Sequence, residues 1–213
     1  ILKSQKNSWQ QGNAQNVIVN CLREMVPHCY AVRYAATNGD ENILKVSISG
    51  HPGSGTTTLV NSICKLMSWT TVNGGDIFRN QAKDRGISLA EFSEICRSDE
   101  SIDRMLDAML IEYMEAEDGP EIVESRLAGW WAYRQNISCV RIWLEVSDEE
   151  RAHRVSSREG LSMEEALSAN KKRLLVDRQR YESMYGIRPS DATPYTHTID
   201  ATTLSKEEVL KVA

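Results

Sequence analysis

The stretch ISGHPGSGTTTL, residues 48–59, carries the densest chemistry in the chain. Gly50, Gly55 and Thr57 satisfy the glycine-loop pattern G-x-x-x-x-G-K-[ST], but Thr56 stands where the lysine belongs. Glycines let a backbone curl until successive N–H groups converge on phosphate oxygens. A helix opening behind the loop adds its partial positive charge. On that reading Gly50, His51, Pro52, Gly53, Ser54, Gly55, Thr56, Thr57 and Thr58 cradle the phosphates of a nucleotide, with the Thr57 hydroxyl on Mg²⁺. A strand-to-helix turn without a ligand is the plain alternative. The phosphate reading is favoured because the preceding strand, both glycines and the Thr pair agree. The missing lysine charge must then come from elsewhere in the chain.

Three further clusters could supply it. GGDIFR sets Asp76 and Arg79 three residues apart, on one face of a helix. Arg79 suits a phosphate bidentately while Asp76 holds the guanidinium or a water; a surface ion pair is the competing reading. In VESRLAGWW, Glu124 ends an apolar run, where a carboxylate can hold the water shell of Mg²⁺. Arg126 follows at the expected carboxyl edge of a sheet, where ligands of α/β proteins bind. Trp130 and Trp131 read as packing rather than base stacking. Between 151 and 180, Arg151, Arg154, Arg158, Lys171, Lys172, Arg173, Arg178 and Arg180 stand against Glu159, Glu164, Glu165 and Asp177. That basic excess is notable in a chain of net charge −5. It falls on two helical stretches joined by EGLSMEEA, as on a hinged flap that excludes water when it closes. Arginine suits a spreading phosphoryl charge better than lysine does, although a solvated helical face is the alternative.

The elements that must position these groups follow from patterning. ILKVSIS, PEIVES and VRIWLEV are buried strands, TTVNGG starts as a short one and turns at Gly74-Gly75, and a strand and a helix close the chain. Helices lie between them, several opened by Ser with Glu three residues later. Strands separated by such helices imply a parallel sheet with right-handed crossovers. The chain has 213 residues, 41% hydrophobic and 26% charged, which suits one α/β domain at 44–213. Residues 1–43 form an N-terminal extension without assignable chemistry; packing on the main domain is expected, and docking of a protein partner is the lesser alternative. The acidic balance argues against nucleic acid as a partner, and no apolar run suggests a membrane span or signal peptide. Five scattered cysteines suggest reduced cytoplasmic thiols. The first residue is Ile, and both ends look trimmed.

Taken in order, GHPGSGTTT, GGDIFRNQAKDRGISLAEFSE, IDRMLD, ESRLAGWW, RAHRVSSREGLSMEEAL and KKRLLVDRQRYESMYGI resemble the archaeal-type cytidylate kinases, within the nucleoside monophosphate kinase group. The match runs from about residue 44 to 213, and in that family the lysine position is itself commonly Thr. The resemblance implies a P-loop three-layer α/β sandwich with a parallel central sheet, a helical region for the acceptor monophosphate, and an Arg-rich lid at about 151–180. It implies transfer of the ATP γ-phosphate to CMP or dCMP, with Mg²⁺ bridging the phosphates. It sets Arg79 and Arg126 on the acceptor's phosphate, Asp103 and Asp107 near its nucleoside, Gly129 beside the acceptor, and Arg154, Arg158, Arg173 and Arg178 in the lid. Departures are Ser125, where the family shows Gly, and Leu174–Val176, where it shows polar residues. Other readings are a related kinase for UMP, AMP or a small alcohol, and an ATP-binding regulator that transfers nothing.

Overall fold

A run of β-branched residues leads straight into the glycine loop, and it forms the centre of the sheet. This is β1 (Val46–Gly50), and its Ser47, Ile48 and Ser49 are wholly buried, as a strand covered on both faces requires. The computed structural model of the chain describes residues 44–213. The expectations for residues 1–43 lie outside those residues.

From the loop the chain runs through α1 (Thr56–Met67), β2 (Thr71–Asn73), α2 (Gly74–Asp84), α3 (Leu89–Ser98) and α4 (Glu100–Glu115). It continues as β3 (Ile122–Glu124), α5 (Ala128–Arg134), β4 (Val140–Glu145), α6 (Asp148–Glu159), α7 (Met163–Tyr185), β5 (His197–Asp200) and α8 (Lys206–Val212). The five strands pair in the order β2-β3-β1-β4-β5, all parallel. The expected parallel sheet flanked by helices is therefore present. Register matters for function: Val46 of β1 pairs with Ile122 and Val140, and Glu124 lies beside both Ile48 and Asn73. The carboxyl ends of β1, β2 and β3 thus form one edge, beside the point where the strand order reverses, where α/β ligands bind.

One face of the sheet is sealed by α1 and α8. Leu59, Val60, Ile63 and Val209 pack on Ile48, Ile142 and Leu144, each worth about 1.5–3 kcal/mol of burial. A second, separate cluster of Ala82, Phe92 and Cys96, with Phe78, Ile102 and Leu106, holds α2, α3 and α4 together as a helical module.

Local signals account for most helix starts. Ser88 and Ser162 open α3 and α7 with both halves of the Ser–Glu box in place. At α6 the box is half made: Ser147 accepts from the Glu150 N–H, but the Glu150 carboxylate turns to Arg154. The turn expected at Gly74-Gly75 is absent. Asn73 accepts from the Gly75 N–H at 2.7 Å and the Asp76 N–H at 3.3 Å, which draws both glycines into the first turn of α2.

The expected flap needs a larger correction. α6 and α7 do form a hairpin, joined through Gly160 at φ 70° and sharing a small core of Ala152, Val155 and Ala166. Its first half is not free, however. Arg151 is 1% exposed, and its guanidinium donates to the Val146 and Pro52 carbonyls at 3.2 Å and to the Asp148 carboxylate. The root of α6 is thereby fixed to the glycine loop. Among the described residues, no helix is long and apolar enough to cross a membrane, and Cys64, Cys96 and Cys139 are free thiols.

Candidate active site

The glycine loop is built from the strand outward. Gly53 at φ 84° and Gly55 at φ 92° occupy left-handed backbone that a side chain would strain. Ser54 ties the loop's curl by donating from its N–H and its hydroxyl to the His51 carbonyl, at 3.1 and 2.8 Å. Gly55 caps α1 without any side-chain acceptor, so the first N–H groups of that helix are left for an anion. His51 packs edge-on to Trp143 at 4.9 Å between ring centres. Burial, then the charges of Arg151 and Arg126, lower its pKa to about 4, so it is neutral at physiological pH.

Glu124 is the hub of the sheet edge. It is buried, and it accepts from the Thr57 hydroxyl at 2.8 Å and from Asn73 Nδ2 at 2.6 Å. Burial raises its pKa, opposed by hydrogen bonds from Thr56, Thr57 and Asn73. Among the described residues, no group of three or more His, Cys, Asp or Glu gathers as a metal site. Thr57 with Glu124 instead offers a hydroxyl and a carboxylate, hard oxygen donors that fit Mg²⁺ when phosphate oxygens and waters complete the shell.

A cavity of about 640 Å³ opens at the same edge, between the helical module and α7. Arg79, Asp103, Asp107, Arg126 and Arg173 all line it, as do Gly74, Gly75 and Ser125. Five residues singled out from the sequence therefore share one space. Arg79 is held by Asp76 at 2.6 Å, the i,i+3 pair that the sequence suggested, and both are exposed. Arg126 donates to Asp177 at 2.5 Å. Asp103 is 3% exposed and faces Arg180 at 3.3 Å; burial raises its pKa, and Arg180 opposes the rise. Both Asp107 oxygens are engaged, one by Trp131 Nε1 at 3.2 Å and one by the Tyr185 hydroxyl at 2.7 Å. Burial still drives its pKa up to about 6.

The remaining residues lie elsewhere. Arg154 donates to the Ser54 carbonyl at 2.9 Å, the Ala201 carbonyl at 2.8 Å and Glu150 at 2.8 Å. It braces the glycine loop from outside, in place of the free position on a flap that the sequence suggested. Arg158 is exposed beside Glu159. Arg178 lines a smaller cavity of about 380 Å³ with His51 and Arg126. Desolvation, then the like charge of Arg126, lower the Arg173 pKa, and the carboxylate of Asp177 opposes the shift. Gly129 lines neither cavity. It is buried, its N–H donates to Ser49 Oγ at 3.2 Å, and a Cβ there would lie 2.3 Å from the Tyr195 ring. The structure gives it a packing role in place of the acceptor contact expected from the resemblance. Trp131 is packing, as read from the sequence, but its ring N–H also holds Asp107.

Sequence reasoning passed over Asn73, and it counted Asp177 and Arg180 only in the charge balance of the flap, without giving either a role of its own. Asn73 carried a signal, an Asn directly before a helix start. Asp177 and Arg180 follow Arg173 at i+4 and i+7, one helical face, which a search by face rather than by charge excess would have found.

Solved structures share this fold. An uncharacterised protein from Eubacterium ventriosum superposes with a TM-score of 0.62 at 14% identity, over 79% of this chain and 94% of that one. Shikimate kinase from Bacteroides thetaiotaomicron superposes at 0.51 and 14%, over 79% and 95%. The fold is that of the P-loop kinases. A family model described as an AAA domain matches residues 49–170. Cytidylate kinase from Pyrococcus abyssi is 38% identical over 169 residues, covering 79% of this chain and 91% of that protein. Cytidylate kinase from Halobacterium salinarum is 38% identical over 155 residues, covering 73% and 79%. The chain belongs to the cytidylate kinase family.

Proposed function

We propose that this protein transfers the γ-phosphoryl group of ATP to CMP or dCMP, giving ADP and CDP or dCDP. The observation that carries the reading is the position of Arg126. It lines a small space beside His51 of the glycine loop and also a cavity of about 640 Å³ that is walled by further cations and by the carboxyl groups of Asp103 and Asp107. The backbone N–H groups of the loop and of α1 hold the ATP phosphates, which need no lysine at Thr56 once Mg²⁺ and the arginines share the charge. Thr57 and Glu124 would hold Mg²⁺, which would supply positive charge to neutralise the phosphates. Arg79 and Arg126 grip the acceptor's phosphate, and bidentate contacts fix its direction of approach. Asp103 and Asp107 meet the nucleoside. Arg158, Arg173 and Arg178 meet the charge that spreads over the transferring group as the far part of the hairpin closes and shuts out water.

The kinase comprises residues 44–213, with residues 1–43 as an extension, and it works in the cytoplasm on small nucleotides. A chain starting at residue 44 should retain phosphotransfer. ADP release measured against CMP, dCMP, UMP, AMP and no acceptor tests the whole reading. CMP and dCMP should lead; faster turnover of UMP or AMP would overturn the acceptor assignment.

A further inference from the structure

Two cavities lie side by side against α7. The larger receives the acceptor; the smaller is reached from the glycine loop at His51 and is lined by Leu174, Arg178 and Arg188. Among the described residues, Arg126 and Asp177 are the two that border both. Arg126 Nη1 donates to Asp177 Oδ2 at 2.5 Å, and the side chains are only 21% and 17% exposed. The pair therefore divides the acceptor cavity from the space beside His51 of the glycine loop.

A phosphate dianion outcompetes a carboxylate for a guanidinium, because it carries more charge and offers more oxygens for a two-pronged contact. An acceptor phosphate arriving at Arg126 thus displaces Asp177 and repels it. The displaced carboxylate is not stranded, since Arg173 and Arg180 both lie within its field. We propose that Asp177 is a positioning residue that makes transfer conditional on the acceptor. Without acceptor it holds Arg126 across the gap and keeps cavity water from the terminal phosphate of ATP. With acceptor it is replaced on Arg126, and the line of attack opens. This rests on the kinase reading above. In the permitted reaction an acceptor phosphate oxygen bonds to the γ-phosphorus while the bond to the bridging oxygen breaks, and ADP leaves with that electron pair. In the suppressed reaction water is the nucleophile, giving ADP, inorganic phosphate and a proton.

The test uses the full chain with ATP and Mg²⁺ and compares Asp177→Asn, which keeps the shape, with Asp177→Glu, which keeps the charge. Without acceptor, Asp177→Asn should release ADP about tenfold faster than the parent, a barrier change of ~1.4 kcal/mol. Asp177→Glu should fall back toward the parent rate, which a merely structural role would not produce. In the parent, inorganic phosphate supplies the dianion alone and should raise acceptor-free ADP release. A folded Asp177→Asn that hydrolyses ATP at the parent's rate overturns the proposal. Should that variant fail to fold, the phosphate titration of the parent decides, and no rise overturns it. A parent that makes no CDP from CMP overturns the kinase reading and this one with it. CDP formation by the parent with unchanged hydrolysis in the folded variant overturns this one alone.

Discussion

Holding Asp107 ionised costs the fold stability, and the cost can be read from its surroundings. Its carboxyl group titrates at about 6 instead of 3.8, because burial outweighs the bonds from Tyr185 and Trp131 and the charge of Arg180. The native state therefore binds an extra proton between those values. The stabilisation from this group is complete below the unfolded value and is lost as pH rises through the folded one. A shift of about two units is worth about 3 kcal/mol, of which about 2 kcal/mol falls between pH 4.5 and 8. Asn at this position keeps the shape, accepts from Trp131, donates to Tyr185 and has no proton to lose. Relative to the parent, Asp107→Asn should gain about 2 kcal/mol across that range, or roughly 4–8 °C in melting temperature. Calorimetry of both proteins at matched pH gives the difference directly, and subtraction removes groups common to both, such as Glu124. A difference that stays flat, or shrinks toward pH 8, refutes the argument that burial dominates. The same variant should raise KM for CMP, since the ionised carboxylate is kept, at a cost, on the cavity wall.

Arg126→Ala should lose roughly 2–5 kcal/mol of transition-state stabilisation in kcat/KM, with melting temperature changed far less; unfolding or near-normal turnover would make Arg126 structural. Arg154→Ala, which removes three fixed bonds at the loop, should weaken both ATP binding and stability. The exposed Arg158→Ala and Arg178→Ala should cut kcat while leaving ATP affinity and melting nearly unchanged, and Thr57→Ala should weaken Mg²⁺-dependent ATP binding. Titration calorimetry with melting curves separates these outcomes. Gly129→Ala places a methyl group against Tyr195 and should destabilise by about 1–3 kcal/mol in a denaturant melt.

The sheet and the loop were legible because their signals are local. A β-branched run, two glycines and a Thr pair occupy one stretch, and capping serines mark several helix starts within a residue. The cavity was legible in part: Arg79, Asp103, Asp107, Arg126 and Arg173 came from motif order, and they do converge. What escaped were contacts between distant segments. Nothing near Arg154 tells that its guanidinium reaches the carbonyls of Ser54 and Ala201, and nothing near Gly129 tells that Tyr195 lies over it. A charge excess marks a cationic helix, but only packing divides its arginines between braces and ligands. Likewise the Asp177–Arg126 pair joins positions 51 residues apart, a distance that no window of sequence spans.

The α6–α7 hairpin is an arch with two planted feet. One foot is Arg151 and Arg154 on the glycine loop; the other is Tyr181, Met184 and Tyr185 at the end of α7, buried or bonded to the helical module. The crown near Gly160 lies away from both feet. Taking Tyr181 as the pivot, Arg173 stands about 12 Å and Met163 about 27 Å along the helix, at 1.5 Å per residue. A tilt of roughly 10° then moves Arg173 by about 2 Å and the crown by almost 5 Å, while Arg180 stays where it is. Reach and accuracy are thus divided along a single helix. Cations near the foot would keep their aim through such a tilt, and those toward the crown would shift with it. A lengthened crown would change how far the arch swings without disturbing where its feet point.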